Sequence, residues 1–188
     1  MKKMILAAFV AVASLTASAQ IWVGGEVGFN AFKTTEHGAT LNKSNKFTVA
    51  PEVGYKLNDK LDVAVLIGYC HAKNNELFNF DLNFENGNGF EIAPYLRYTF
   101  AKAGNFSFFA DGGFGYALLH EHGDSKSINA WEITVKPGIS YALSEKVSLV
   151  AHVGAAGYYF VKHDARKVNG WEAGVNGNNI SFGCYVNL

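Results

Sequence analysis

Eight charged residues recur on one side of an alternating pattern: Glu26, Glu52, Asp62, Glu91, Arg97, Asp111, Glu132 and Lys136. Six are carboxylates, and Arg97 and Lys136 are the cations among them. The chemistry open to such a set is ion pairing, either as a static core that satisfies its own charges or as a salt-bridged plug that gates a narrow aqueous path. The static reading is the simpler one, because paired charges need no ligand. Five of the six histidines, His37, His71, His120, His122 and His163, fall in or beside polar stretches. His120-Glu121-His122 places two imidazoles on one face of an extended segment. The spacing matches no zinc site, and solvated polar residues are the preferred reading. His122 has Ser125 and Ser127 nearby, without the spacing of a nucleophile and its base. Gly24-Gly25, Gly112-Gly113 and Gly87-x-Gly89 are followed by no helix that would receive a phosphate. No catalytic residue, cofactor or metal is therefore assigned.

The elements that carry the charges follow from a repeat. Pro51, Pro94 and Pro137, the only prolines, stand forty-three residues apart. Counting from each, positions −2, +2, +4 and +6 are apolar, and +4 is always tyrosine: Tyr55, Tyr98, Tyr141. The residues between are small, polar or charged. Period two is the mark of a strand with two unlike faces, and its recurrence marks one supersecondary unit used several times. Ile180, Phe182, Cys184, Val186 and Leu188 form a fourth, degenerate copy.

In chain order, strands are expected from about Ile21 to Lys33, from Lys46, from Leu61, through the second proline, from Phe106, from near Trp131, from Val147, and from Ile180 to the end. Asn58-Asp59, Lys102 to Asn105 and Ser144-Glu145 read as tight turns. Thr34 to Asn45, Lys73 to Asn88, His120 to Ser127 and His163 to Gly177 read as long polar loops. Eight strands with short turns at one end and long loops at the other give an all-β, antiparallel up-and-down barrel. Proline removes a ladder hydrogen bond, and a closed barrel has no edge to hide the loss. A bulge or weakened pairing is expected at all three.

Lys2-Lys3, the apolar run Met4 to Ala13 and Ala17-Ser18-Ala19 read as a secretory leader over residues 1–19, with Gln20 starting a single domain to 188. Sixteen basic residues balance sixteen acidic ones, so there is no polybasic footprint for nucleic acid. Cys70 and Cys184 should point to opposite sides of the wall, which argues against a disulfide.

The apolar face carries Phe, Tyr, Leu, Val and Ile on every strand. The opposite face is Gly, Ala, Ser, Thr and the charges. An eight-stranded barrel has an interior only wide enough for side chains, and small residues with a few charges fit it. The apolar face is therefore read as facing lipid, making this a transmembrane barrel, with Tyr55, Tyr98 and Tyr141 as an interface ring. A soluble ligand-binding barrel, with the faces reversed, is the alternative.

The leader, the alternating strands, the short and long connections and the Ile180 to Leu188 alternation together resemble the small outer-membrane β-barrel family, of the OmpA transmembrane-domain or OmpX kind. The resemblance implies the outer membrane of a double-membraned bacterium, outer-membrane lipid around the wall, and a barrel-insertion machinery that reads the C-terminal strand. Leu188 stands where the family's pattern has Phe. No second domain is read after the barrel, so a peptidoglycan-anchoring module is not expected, and a monomer is. The fold hosts structural proteins, adhesins, small pores and some enzymes. A structural or surface-interaction role, with an extracellular ligand met by the long loops, is expected here, and a small gated pore is the alternative.

Overall fold

The computed structural model describes residues 20–36, 39–76, 83–123, 127–163, 166–174 and 180–188. The leader expected over residues 1–19 lies outside them, as do His37 and Ser125. Twelve strand segments follow in order: β1 (Ile21–Glu36), β2 (Ala39–Lys56), β3 (Leu61–Lys73), β4 (Asn75–Glu76), β5 (Asn83–Phe84), β6 (Gly87–Ala103), β7 (Phe106–Glu121), β8 (Ser127–Ala142), β9 (Val147–Val153), β10 (Ala155–His163), β11 (Arg166–Gly174) and β12 (Ile180–Asn187). β9 and β10 form one wall strand interrupted at Gly154, and β11 and β12 lie along it as the last. Each wall strand pairs antiparallel with the next, and β12 returns to β1 over Trp22↔Asn187 to Val27↔Phe182. The result is the eight-stranded antiparallel barrel that the alternation predicted. β4 and β5 make a separate small hairpin.

The three short turns form where the side chains dictate. Asn58 Oδ1 accepts from the amides of Lys60 and Leu61 at 2.9 and 3.1 Å, and Ser144 Oγ does the same for Lys146 and Val147. Gly104, at φ 59°, supplies the left-handed residue of the third. The start of β1 and the C-terminal residue meet at this base, where the Leu188 amide donates to Ile21 O at 2.9 Å.

The opposite end differs from the loop reading. β1 and β2 run on to Glu36 and Ala39 with the ladder intact apart from a shift between Thr34 and Thr35. β8 begins at Ser127, ahead of Trp131, and the stretch read as a loop from His163 holds the whole of β11. Alternation reports two unlike environments, lipid outside and packed side chains inside. Beyond the bilayer both faces can meet water, so the pattern fades while the hydrogen bonds persist. A span needs only ~9–11 residues, whereas β2 has 18, so the hairpins project well past it.

Each proline keeps its ladder with the preceding strand (Gly25↔Pro51, Val65↔Pro94, Ala110↔Pro137). Toward the following strand the pairing breaks. It skips from Val49↔Tyr69 to Glu52↔Leu66, and from Ile92↔Tyr116 to Tyr95↔Gly113. At the third proline it resumes one residue out of register, and Gly154, at φ 84°, absorbs the bulge. The weakened pairing expected at the prolines is thus present at all three, with a true bulge at Pro137 alone.

The outer wall carries the apolar face. Val27, Ile67, Ile133 and Phe182 are each more than half exposed, within a belt contributed by every wall strand. Soluble monomers rarely expose apolar patches beyond a few hundred Å², and this belt circles the molecule. The soluble alternative fails on that observation. Cys184 is exposed, Cys70 is buried, and both are free. Ile67→Arg, at mid-height on the outer face, is expected to destabilise the barrel by about 2–4 kcal/mol. Tyr55→Arg at the base should cost about 0–1 kcal/mol. Urea unfolding in lipid vesicles measures both, and equal costs would contradict the orientation.

Candidate functional site

The inward face brings the predicted charges together in two layers. Glu52, Glu91, Arg97, Asp111 and Glu132 are buried, as are Lys46 and His152. In the lower layer Arg97 Nε and Nη2 donate to Asp111 Oδ1 and Oδ2 at 2.7 and 2.6 Å, a fork-to-fork pair between β6 and β7. Arg97 Nη2 also donates to the Tyr185 hydroxyl at 3.2 Å, and that hydroxyl donates to Glu52 Oε2 at 3.0 Å. The Tyr95 hydroxyl donates to the same Glu52 oxygen. His152 Nε2 lies 2.7 Å from Asp111 Oδ2, and its Nδ1 lies 2.5 Å from Glu26 Oε1. Two N–H donors satisfy that arrangement. The chain Glu26–His152–Asp111–Arg97–Tyr185–Glu52–Tyr95 crosses the lumen and ties β1, β2, β6, β7, β9 and β12. Asp62 sits nearer the base, where it accepts from Trp22 Nε1 at 3.1 Å.

Aromatic rings complete this layer. The Arg97 guanidinium carbon lies 4.0 Å from the centroid of Phe109, 4.9 Å from Tyr185 and 5.4 Å from Trp22. Each large inward ring lies opposite a glycine of its neighbour: Trp22↔Gly54, Tyr185↔Gly24, Tyr95↔Gly113 and Phe109↔Gly138. A Cβ on those glycines would come within 2.1–2.6 Å of the facing aromatic side chain. The glycine-rich inner face is therefore a set of seats for aromatic side chains.

The upper layer holds Glu91, Glu132, Lys136 and Lys46. Lys136 Nζ is 3.3 Å from Glu132 Oε1, and Gly115 leaves the space that Glu91 and Glu132 occupy. Above it the lumen turns apolar. Cys70, Ala72, Ala117, Leu119, Ile128, Ala130 and Val161 pack into one cluster with Tyr159 against it. Alternation identifies the inward face but not which inward residues meet. A cavity of about 160 Å³ lies among the upper charges, and one of about 380 Å³ lies at the base, lined by Trp22, Asp62, Arg97, Phe109 and Tyr185.

Tyr55, Tyr98 and Tyr141 lie on the outer wall near the short turns, and all are at least a third exposed. At the other end Trp131 stacks on Phe160 at 5.2 Å, and Tyr158 meets Trp171 at 5.2 Å. These bracket the belt from above. His71 Nδ1 is 2.8 Å from Asn88 Oδ1, and the rings of His120 and His122 are 6.4 Å apart. Among the described residues no group of three or more His, Cys, Asp or Glu side chains is placed to hold a metal. Sequence reasoning gave His152 no part. Its signal is that it is the one histidine of six outside the polar stretches, although the structure places His71, His120 and His163 in strands as well.

Arg97→Met leaves the Asp111 carboxylate buried without its fork and is expected to cost about 3–5 kcal/mol in urea unfolding. Arg97→Met/Asp111→Leu should recover most of that loss. An additive double mutant would show that the two groups act independently.

The chain is similar to neisserial surface protein A (18% identity, 91% of this chain and 98% of that one, TM-score 0.49). It is similar to the N-terminal β-barrel domain of Pseudomonas aeruginosa OprF (13%, 90% and 98%, TM-score 0.48). It is also similar to Yersinia pestis Ail in a phospholipid nanodisc (14%, 90% and 99%, TM-score 0.45). No protein of curated function matches the chain. The family described as "Outer membrane protein beta-barrel domain" matches residues 4–184. With its lipid-facing belt and self-paired interior, the chain belongs to the outer membrane protein β-barrel family, and its place is the outer membrane of a Gram-negative bacterium.

Proposed function

We propose that this barrel is a membrane-anchored display scaffold whose projecting hairpins meet an extracellular partner. The observation that carries the reading is the mismatch between strand length and membrane thickness. β1–β2, β7–β8 and β10–β11 continue their ladders past the aromatic residues that bracket the lipid belt. An apolar cluster packs inside that projecting part. A ladder with its own small core is stiffer than a loop, and rigid elements present binding groups at low entropic cost. The buried charge network supports a structural role for the interior. Outer-membrane lipid and the barrel-insertion machinery are the remaining partners in this reading.

Grafting the β10–β11 hairpin out, with a short turn joining its stems, is expected to abolish attachment of expressing cells to host-cell or matrix surfaces. The heat-modifiable gel shift of the folded barrel should survive. Attachment that persists after each projecting hairpin is exchanged in turn would sink the reading.

A gated pore is the second reading, supported by the two cavities on either side of the Arg97 layer. It predicts that Arg97→Ser/Phe109→Ala conducts in planar bilayers while the parent is silent. Silence in the folded double mutant would remove it.

A further inference from the structure

Two lysines stand side by side on the outer wall. Lys162 of β10 pairs with Lys167 of β11, and Asn129 of β8 pairs with Lys162 on its other side. All three are exposed. Alternation fixes their face: Val161 is buried in the apolar cluster with Tyr159 against it, so Phe160 and Lys162 point out. Like charges directly opposite in a ladder destabilise it, since Cα atoms so paired are ~4.5–5.5 Å apart. Among the described residues neither lysine has an ion pair. The acidic residues of these three strands, Glu132 and Glu172, are turned the other way. Glu132 is buried, and Glu172 alternates with the outward Trp171. What the row lacks is an anion from outside the chain.

The height of the row says where that anion resides. The rung beneath is Trp131↔Phe160↔Asn169, and the next is Ile133↔Tyr158↔Trp171. Phe114, Trp131 and Phe160 make a stacked run along the outer wall. Trp171 is 83% exposed, and a ring that open on a lipid-facing wall lies against an acyl chain. Tryptophan and tyrosine settle at the headgroup boundary of a bilayer. Two residues at ~3.4 Å each, on strands tilted ~35–45°, raise the lysines roughly 5 Å above the Trp131 rung. Their ammonium groups therefore stand among the headgroups.

Asn129 adds to the donor set. Its Oδ1 accepts from the Tyr116 hydroxyl at 2.6 Å, which leaves the amide nitrogen to meet a ligand. Two cations and an amide donor, with no carboxylate on the same face, suit a phosphate. Its several oxygens can accept from both ammonium groups at once.

We propose that Asn129, Lys162 and Lys167 bind the phosphate of an outer-leaflet lipid whose acyl chain lies down the wall over Phe160 and Trp171. The lipid neutralises the lysine pair and holds the β10–β11 hairpin against the bilayer, whatever the hairpins themselves meet.

The test uses the full mature barrel in phosphatidylcholine nanodiscs, with Trp131→Phe so that Trp171 is the lipid-facing fluorophore. Chain-brominated phosphatidic acid and chain-brominated phosphatidylcholine are introduced in turn, and quenching of Trp171 gives their relative affinity. Both carry a phosphate, but choline covers the charge of the second. Phosphatidic acid should be favoured about twentyfold; Lys162→Gln and Lys167→Gln should each lower that preference about fivefold, and the pair should remove it. Lys162→Arg/Lys167→Arg should keep it, and so should Lys60→Gln/Lys146→Gln at the opposite end. All variants should retain the heat-modifiable shift, because the substituted side chains are exposed. A parent that does not discriminate, or a preference that survives in the double glutamine variant, overturns the proposal. So does a preference abolished by millimolar inorganic phosphate, since the site would then take the free ion and not the lipid.

Discussion

Arg97 is a permanent cation placed inside a wall that lipid surrounds, and much of the interior is arranged to make that tolerable. Desolvating a guanidinium costs several kcal/mol. Asp111 returns that cost through two parallel bonds, Tyr185 adds a third, and Phe109 covers the face of the ion. The neutralising carboxylate is itself held by His152, which is held by Glu26. Because these groups come from strands on opposite sides of the lumen, the network closes the barrel across its interior as the ladder closes it around its rim.

Fitting rings and ions into an eight-stranded lumen requires space, and glycine provides it. Trp22, Tyr95, Phe109 and Tyr185 each lie over a cross-strand glycine, so bulk on one strand is matched by its absence on the next. The prolines work on the opposite face. All three lie on the exposed outer surface and interrupt pairing only toward the following strand. The third interruption coincides with the Gly154 bulge, so among the three prolines only Pro137 shifts the register of the wall.

The extent of each strand was legible only within the lipid belt. Val27, Val53, Ile67 and Ile133 alternate with small or charged neighbours because two unlike media press on them, and the eight strands follow. Thr34 to Asn45 and Arg166 to Gly174 lack that contrast, and their ladders are visible only once a partner strand is in place. His152 shows the same limit inside the barrel. Its face could be read from Val147, Leu149 and Ala151 around it, but its two carboxylate partners come from strands distant in sequence.

What the sequence determined by itself is the periodic part: eight strands, their two faces, the short turns at Asn58, Gly104 and Ser144, and lipid on the apolar side. These depend on neighbours one to four residues away. Tertiary structure alone decided which inward groups meet, because register across a barrel is a relation between strands. It paired Arg97 with Asp111, seated each ring on its glycine, and gathered Cys70, Leu119, Ile128 and Val161 into an apolar cluster. A one-residue slip in any ladder would turn its side chains to the other face, and the periodicity alone does not say which register the closed wall will choose.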